Sequence, residues 1–507
     1  MELKYCVKAG ETVAFNNAVD FCVGTGRMGL ALQEEYMQQL KYVQENIGFS
    51  HIRGHGLFCD DVAIYHDFTD REGNRHVEYN FTYLDRIMDR YLELGIRPFL
   101  ELGFMPKDMA SGDQTIFYWK GNVTPPKTYE DWTKLVATTL QHLIDRYGKE
   151  EVTAWPIEVW NEPNLPGFWK GADMQEYFKL YQKTAEVIKS VDPTFRVGGP
   201  AICGVDDERW LRSFLEFVLE SKAPLDFVTR HHYTSYSPKW EGHYGYINLH
   251  QPEYAFRVLE RSREIVDSFE QFKGMEIHIT EFNTSYIPNA PIHDTNLNAA
   301  YVAHMLSRLG DCHASYSYWT FGDVFEEHGV AFTPFSGGFG LVSNGGVPKP
   351  TFWTFAFFKK LKGDCVLRND NAVVVKGKDG IYRGCVWNPD GKLTGEELDF
   401  EVTLPVEKNA YGLLVKTVDE ECCNPLKLWH DLGEPATPTK EMFELLKAGA
   451  QPQISTERFE ETENVKVALH LKKNAVKYFE LRPAKITPDT GYSYEKALLE
   501  CVEDPEE

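Results

Sequence analysis

Two acidic positions in this sequence stand among neighbours that suit them for proton transfer or nucleophilic attack. Glu162 closes the run Trp155-Pro-Ile-Glu-Val-Trp-Asn-Glu-Pro-Asn164, where a β-prone apolar stretch ends in a carboxylate flanked by amides, aromatics and prolines. Pro163 forbids simple continuation of a sheet ladder, so Asn161 and Glu162 fall at the carboxyl end of the expected strand. Glu276-Ile-His-Ile-Thr-Glu-Phe-Asn283 has the same form and leads into Glu281. In parallel α/β sheets and barrels, ligands bind at that end of the strands. A lone strand-end glutamate is as easily half of a structural ion pair, but two of them suggest paired-carboxylate chemistry.

Breaking a glycosidic bond by double displacement uses one carboxyl group as general acid and a second as nucleophile, about 5 to 5.5 Å apart. The acid must hold its proton and the nucleophile must be ionised, so their environments have to push the two pKa values apart. We assign Glu162 as acid/base and Glu281 as nucleophile, an order that sequence context alone hardly decides.

The elements that would position these groups form a regular alternation. Strand-like runs at 21–24, 49–54, 96–104, 154–160, 196–202, 227–233, 276–282 and 315–321 are each followed by a helix-like run, at 34–46, 83–94, 130–147, 174–190, 208–219, 254–269, 296–309 and 351–361. Gly95, Gly148, Pro193 and Gly310 punctuate unit ends. Eight such units predict an α/β fold of the (β/α)8 TIM barrel type, with Glu162 ending the fourth strand and Glu281 the seventh. Gly24-Thr-Gly-Arg-Met-Gly29 fits a dinucleotide-binding expression but lacks the ribose-binding acid, and it reads as a rim turn. Beyond residue 361 the strands lose their crossover helices, and turn signals such as Asn388-Pro-Asp-Gly391 predict an antiparallel β-sandwich. The expected organisation is an N-terminal strand at 1–12 joining the sandwich, a catalytic barrel at 13–361, the β-sandwich accessory domain at 362–486 and a C-terminal tail at 487–507. Tyr492, Tyr494 and Leu498 are its candidate anchors onto the body or a neighbouring subunit.

Composition excludes several partners. A net charge of −23 would repel nucleic acid or an anionic membrane. Neither a signal-peptide pattern nor an apolar run of about 18 residues occurs, so no membrane partner is expected. The ten cysteines are scattered without CxxC spacing and read as reduced thiols of a cytoplasmic protein.

Together with Ile157-Glu-Val-Trp-Asn-Glu-Pro-Asn164 and Thr280-Glu-Phe-Asn283, three further stretches carry a resemblance. They are Ile52-Arg-Gly-His-Gly-Leu-Phe-Cys-Asp-Asp61, His231-His-Tyr-Thr-Ser235 and Phe321-Gly-Asp-Val-Phe-Glu-Glu327. The chain resembles glycoside hydrolase family 39, in its β-xylosidase branch. The resemblance implies Glu162 as acid/base, Glu281 as nucleophile, Asn161 donating to the sugar 2-hydroxyl, retention of a β-linkage, and neither metal nor other cofactor. It further implies exo action on xylo-oligosaccharides and a homo-oligomer, commonly a tetramer.

Other candidate substrate-binding residues are His55, Asp60, Phe168, His231, Tyr233, Trp319, Phe321 and Glu326; Glu327 beside Glu326 is read the same way, each either holding outer hydroxyls or simply a solvated charge. His51, Arg53 and His55 share one strand face, and Tyr233 beside the nucleophile can steady its charge. Core packing explains any single aromatic equally well. Glu158 reads as an interior barrel residue. No His-Glu-x-x-His occurs, and the His51/His55 pair lies on a strand, which argues against zinc. The rival readings are a β-glucosidase or arabinosidase on the same scaffold, a sugar-binding protein without turnover, and a cation-dependent barrel isomerase.

Overall fold

The computed structural model describes residues 1–484 and 491–498. Parallel strands Cys22–Arg27, His51–His55, Ile157–Val159, Val197–Ile202, Phe227–Tyr233, Ile277–Asn283 and Ser315–Tyr318 pair in chain order, and the last pairs back to the first. The third strand is hydrogen-bonded in two pieces. Arg97–Pro98 pairs with the second strand, and Leu100–Leu102 pairs with the fourth. The barrel is therefore nearly closed, and its one break in pairing, at Phe99, lies within a continuous stretch of chain.

A helix follows every barrel strand: Glu34–Asn46, Thr82–Glu93, Tyr129–Tyr147, Met174–Val191, Asp207–Ser221, Pro252–Asp267, Asn296–Leu306 and Pro350–Phe358. Local chemistry sets their ends. Thr128 caps the third by accepting from the Asp131 amide, Asp173 caps the fourth through the Glu176 amide, and Gly148 stops the third at a φ of 88°.

The C-terminal part differs from expectation. Where two packed sheets were expected, the ladders join seven strands into one curled sheet. Its spine is Leu398–Val418, whose first half pairs in parallel with Glu2–Cys6 and whose second half pairs with Ala475–Pro483. Gln453–Leu471 runs beside both halves. Twist accumulated over 21 residues carries the two ends of the spine to different neighbours. Asp364–Arg368, Ala372–Lys376 and Tyr382–Asn388 complete the sheet. Side chains alternate between its faces: Val373, Val375 and Trp387 join the barrel core, while Ala372, Val374 and Val386 join a second core with Phe400 and Val402. Helices Pro425–Asp431 and Lys440–Gly449 lie between the two longest strands. Tyr492, Tyr494 and Leu498 are exposed and are not packed on the body; tail positions 487–490 and 499–507 lie outside the described residues. Among the described residues, no helix is long and apolar enough to cross a membrane.

Candidate active site

The fourth strand delivers Glu162 through a sharp change of backbone direction. Trp160 and Glu162 both have positive φ, 73° and 44°, a left-handed conformation that non-glycine residues adopt only when surroundings enforce it. The Glu162 amide donates to Ala201 O at 2.9 Å, which ties this turn to the fifth strand. Glu281 lies within the seventh strand, two residues before its end. Both carboxylates are buried at the barrel mouth. An oxygen of each and a His231 ring nitrogen all lie within 4.8 Å of one another.

Arg53, on the second strand, organises the cluster. It is fully buried; Nε donates to Glu158 Oε2 at 2.5 Å, Nη1 to Glu281 Oε1 at 2.8 Å and Nη2 to Asn161 Oδ1 at 3.0 Å. Glu101 Oε2 lies 3.0 Å from Nη2. Glu101 and Glu158 face each other across the third and fourth strands, and Thr280 Oγ1 donates to Glu158 Oε1 at 2.8 Å. One guanidinium thus serves carboxylates from three strands. Burial disfavours its charge, but the carboxylates hold its pKa above the usual value.

His231 joins the two strand-end glutamates. Its Nδ1 lies 2.7 Å from Glu162 Oε1 and 3.4 Å from Glu281 Oε2, and its Nε2 faces Arg53 Nη2 at 3.4 Å. A guanidinium only donates, so His231 Nε2 accepts and the ring hydrogen sits on Nδ1, pointing to Glu162. Burial and the Arg53 charge press the His231 pKa far below its ordinary value, keeping the ring neutral.

The two glutamates consequently differ. Burial, followed by the charge of Glu281, drives the Glu162 pKa well above the carboxylate range. Burial raises that of Glu281 too, but Arg53, His55 and the Tyr233 hydroxyl, which donates to Oε2 at 2.7 Å, all favour its anion. Glu162 is arranged to keep a proton and Glu281 to give one up.

The remaining expected residues divide. His55 Nδ1 lies 2.7 Å from Glu101 Oε2, and its Nε2 lies 3.7 Å from Glu281 Oε1; burial lowers its pKa to about 3, so the ring is neutral. Trp319 packs against His55 at 4.7 Å between ring centroids, with the Arg53 guanidinium 5.9 Å from its ring. Phe168 packs edge-on to Phe117, whose ring stacks at 5.9 Å on His55. These aromatics wall one side of the mouth.

Three expected contacts are placed elsewhere. Phe321 points into the barrel core, edge-on to Tyr36 at 4.8 Å, because the chain turns outward after the eighth strand. Glu326 reaches sideways to Arg27 Nη2 at 2.6 Å and Gln33 Nε2 at 3.2 Å. Asp60 stands on an exposed loop and accepts from the Lys107 amide at 3.2 Å, outside the hydrogen bonds around the glutamates. Glu327 enters the site in place of its neighbour. It is buried, 3.8 Å from His55 Nε2, and burial together with the charges of Glu281 and Glu162 raises its pKa well above normal.

Among the described residues, Glu162, His231 and Glu281 have donor atoms spaced to hold a cation. Their donor set is one neutral imidazole and two carboxylates. The Nδ1 atom that would ligate is the one that carries the ring hydrogen in the tautomer set by Arg53, so the hydrogen-bond network does not present it as a metal ligand.

Comparison with known proteins gives a consistent result. The profile described as Glycosyl hydrolases family 39 matches residues 6–465. A β-xylosidase of Geobacillus stearothermophilus is 49% identical over 471 residues, covering 92% of each chain. One from Caldicellulosiruptor saccharolyticus is 35% identical over 84% of this chain and 87% of its own. The structure of a monomeric β-xylosidase from Caulobacter crescentus superposes with a TM-score of 0.86 at 32% identity, covering 95% of this chain and 100% of that one.

Proposed function

The chain belongs to glycosyl hydrolase family 39, and from that premise we propose that it is an exo-acting, retaining β-D-xylosidase that releases xylose from the non-reducing end of xylo-oligosaccharides. It is a glycoside hydrolase by membership of that family.

The observation that carries the mechanism is the pairing of Glu162 with Glu281. Oxygens within 4.8 Å suit attack by one carboxylate on the anomeric carbon while the other protonates the leaving oxygen. Inverting enzymes separate their carboxyls by about 6.5 to 9.5 Å to admit a water between them. In the proposed first step, Glu281 Oε attacks the anomeric carbon, the glycosidic C–O bond breaks, and the Glu162 proton passes to the leaving oxygen. In the second, Glu162 takes a proton from water, whose oxygen displaces Glu281 and returns its carboxylate. Arg53 and Tyr233 stabilise the Glu281 anion before attack and after release. Neutral His231 donates to Glu162 Oε1, leaving Oε2 to carry the transferable proton. Asn161, aligned by Arg53, is proposed to hold the sugar 2-hydroxyl.

Exo action is supported by a bridge over the rim. The Tyr118 amide donates to Glu327 O at 2.8 Å, joining the loop after the third strand to that after the eighth. Such a bridge suits a pocket better than an open cleft. The homo-oligomer, a tetramer by resemblance, belongs to the proposal; the Caulobacter crescentus relative is described as monomeric, and light scattering decides the point for this chain.

A panel of p-nitrophenyl glycosides tests the sugar assignment. The highest kcat/KM is expected on the β-D-xyloside. A higher value on the β-D-glucoside or an arabinoside would transfer the assignment to that sugar, and no hydrolysis of any would favour a binding protein.

A further inference from the structure

The sequence stretch Phe335-Ser-Gly-Gly-Phe-Gly340 has no part in the chemistry above, yet it wraps around a buried charge cluster behind the site. Lys349, the residue preceding the last barrel helix, is fully buried. Its Nζ lies 2.6 Å from Asp294 Oδ1 and 2.7 Å from Asp323 Oδ2 and donates to Gly338 O at 2.8 Å. Each aspartate uses its other oxygen to hold the same loop: Asp294 Oδ2 accepts from the Gly337 amide at 2.7 Å, and Asp323 Oδ1 from the Gly340 amide at 2.6 Å. A Cβ at Gly338 would fall on the Asp323 carboxylate, and one at Gly340 on the Gly322–Asp323 backbone and Asp323 Oδ1, which explains the glycines.

One ammonium therefore pins both ends of the segment between 323 and 338. That segment carries Phe325, packed on Trp319 at 6.0 Å, then Glu326 at a φ of 67°, then Glu327 at the mouth. Left-handed backbone at Glu326 persists where its surroundings enforce it, here the held ends of the loop together with Arg27 and Gln33 on its carboxylate. The segment's outward contacts are the Tyr118 amide on Glu327 O, and Arg27 and Gln33 on the Glu326 carboxylate.

We propose that Lys349, with Asp294 and Asp323, is a positioning residue for the active site: it fixes the loop that sets Glu327 and the Tyr118 bridge over the sugar pocket. Lys349 itself touches neither Glu162 nor Glu281 in the contacts described above. The inference rests on the glycosidase reading for its kinetic consequence but not for its structural one.

Replacing Lys349 alone would strand two buried carboxylates, so the test uses the neutral variant Lys349→Met/Asp294→Asn/Asp323→Asn. Both asparagines keep an oxygen for the Gly337 and Gly340 amides, and only the tie through Nζ is lost. Two readouts are taken on folded protein. Hydrogen exchange at the Tyr118 amide should speed up at least about tenfold, although Tyr118 lies on a loop from another strand. In a double-mutant cycle on p-nitrophenyl β-D-xyloside, the triple variant and Glu327→Gln should each lower kcat/KM about tenfold, and their combination should lower it little further. Unchanged exchange at Tyr118, or strictly additive kinetic losses, would overturn the proposal. Should wild type prefer another glycoside, the cycle is run on that substrate, and the exchange result stands independently of which sugar is cleaved.

Discussion

His231 Nδ1 lies 2.7 Å from Glu162 Oε1 while its Nε2 faces the Arg53 guanidinium at 3.4 Å, so a single imidazole connects the proposed acid to the cation that stabilises the proposed nucleophile. This relationship fixes a tautomer. Histidine-selective 15N spectra should show His231 with hydrogen on Nδ1 and a bare Nε2 from about pH 5 to 8, since burial holds its pKa far below the ordinary value. A protonated Nε2 in that range would contradict the network.

Tyr233→Phe removes one of the two close donors on Glu281. A hydrogen bond to a charged group is worth about 1.5 to 3 kcal/mol, so kcat/KM should fall roughly 10- to 150-fold. The lost donor had favoured the anion, so the Glu281 pKa rises and the acid limb of the kcat/KM profile moves to higher pH. An unmoved limb would show that Tyr233 does not stabilise the ionised nucleophile.

Glu326 and Glu327 are adjacent and chemically identical, and the fold separates them. Glu327→Gln should lower kcat/KM about tenfold, the worth of one buried hydrogen bond to substrate. Glu326→Gln should leave it within about twofold, since that side chain pairs with Arg27 and Gln33 instead. Steady-state kinetics on one aryl xyloside distinguishes the two, and equal losses would contradict the placement.

How much of this was legible beforehand follows from where each residue's role originates. The strand ends carrying Glu162 and Glu281 were readable because an apolar run stopped by Pro163 is a local signal. Arg53 was visible only as a face-mate of His51 and His55, because its function comes from Glu101, Glu158 and Glu281 on three other strands. Glu101 was passed over, although a charge inside the apolar triplet Leu100-Glu101-Leu102 is itself a sign of a buried partner. Trp319 and Phe321 alternate as if on one face, but the chain leaves the sheet after Tyr318 and the periodicity lapses. Whether Glu326 or Glu327 faces the pocket depends on one left-handed residue held by the distant Lys349, which no local pattern encodes. The curled sheet was misread for a similar reason: turn signals locate strands but do not say that a 21-residue strand changes partners midway.

Arg53→Met should destabilise the fold by about 3 to 5 kcal/mol near pH 7, because three buried carboxylates lose the guanidinium that pairs with them. The sign with pH follows from the raised pKa values of Glu101 and Glu281. Acids whose folded pKa exceeds the unfolded value bind more protons when folded, so they weaken the fold as pH rises through that window and cease to do so as pH falls towards about 4.3. The deficit measured by denaturant unfolding should therefore shrink between pH 7 and pH 5. A deficit that grows on acidification would contradict the burial of charge assigned to this cluster.

The roles of the two strand-end glutamates are tested most directly by the product that azide forms in alanine variants. Azide added to Glu281→Ala acting on an activated aryl β-xyloside attacks the face the nucleophile has vacated, and α-xylosyl azide is predicted. With Glu162→Ala, azide intercepts the glycosyl-enzyme, and β-xylosyl azide is predicted. That pair of anomers establishes Glu281 as nucleophile, Glu162 as acid/base and net retention. The opposite assignment of anomers to variants, or azide rescue of neither, would contradict the account.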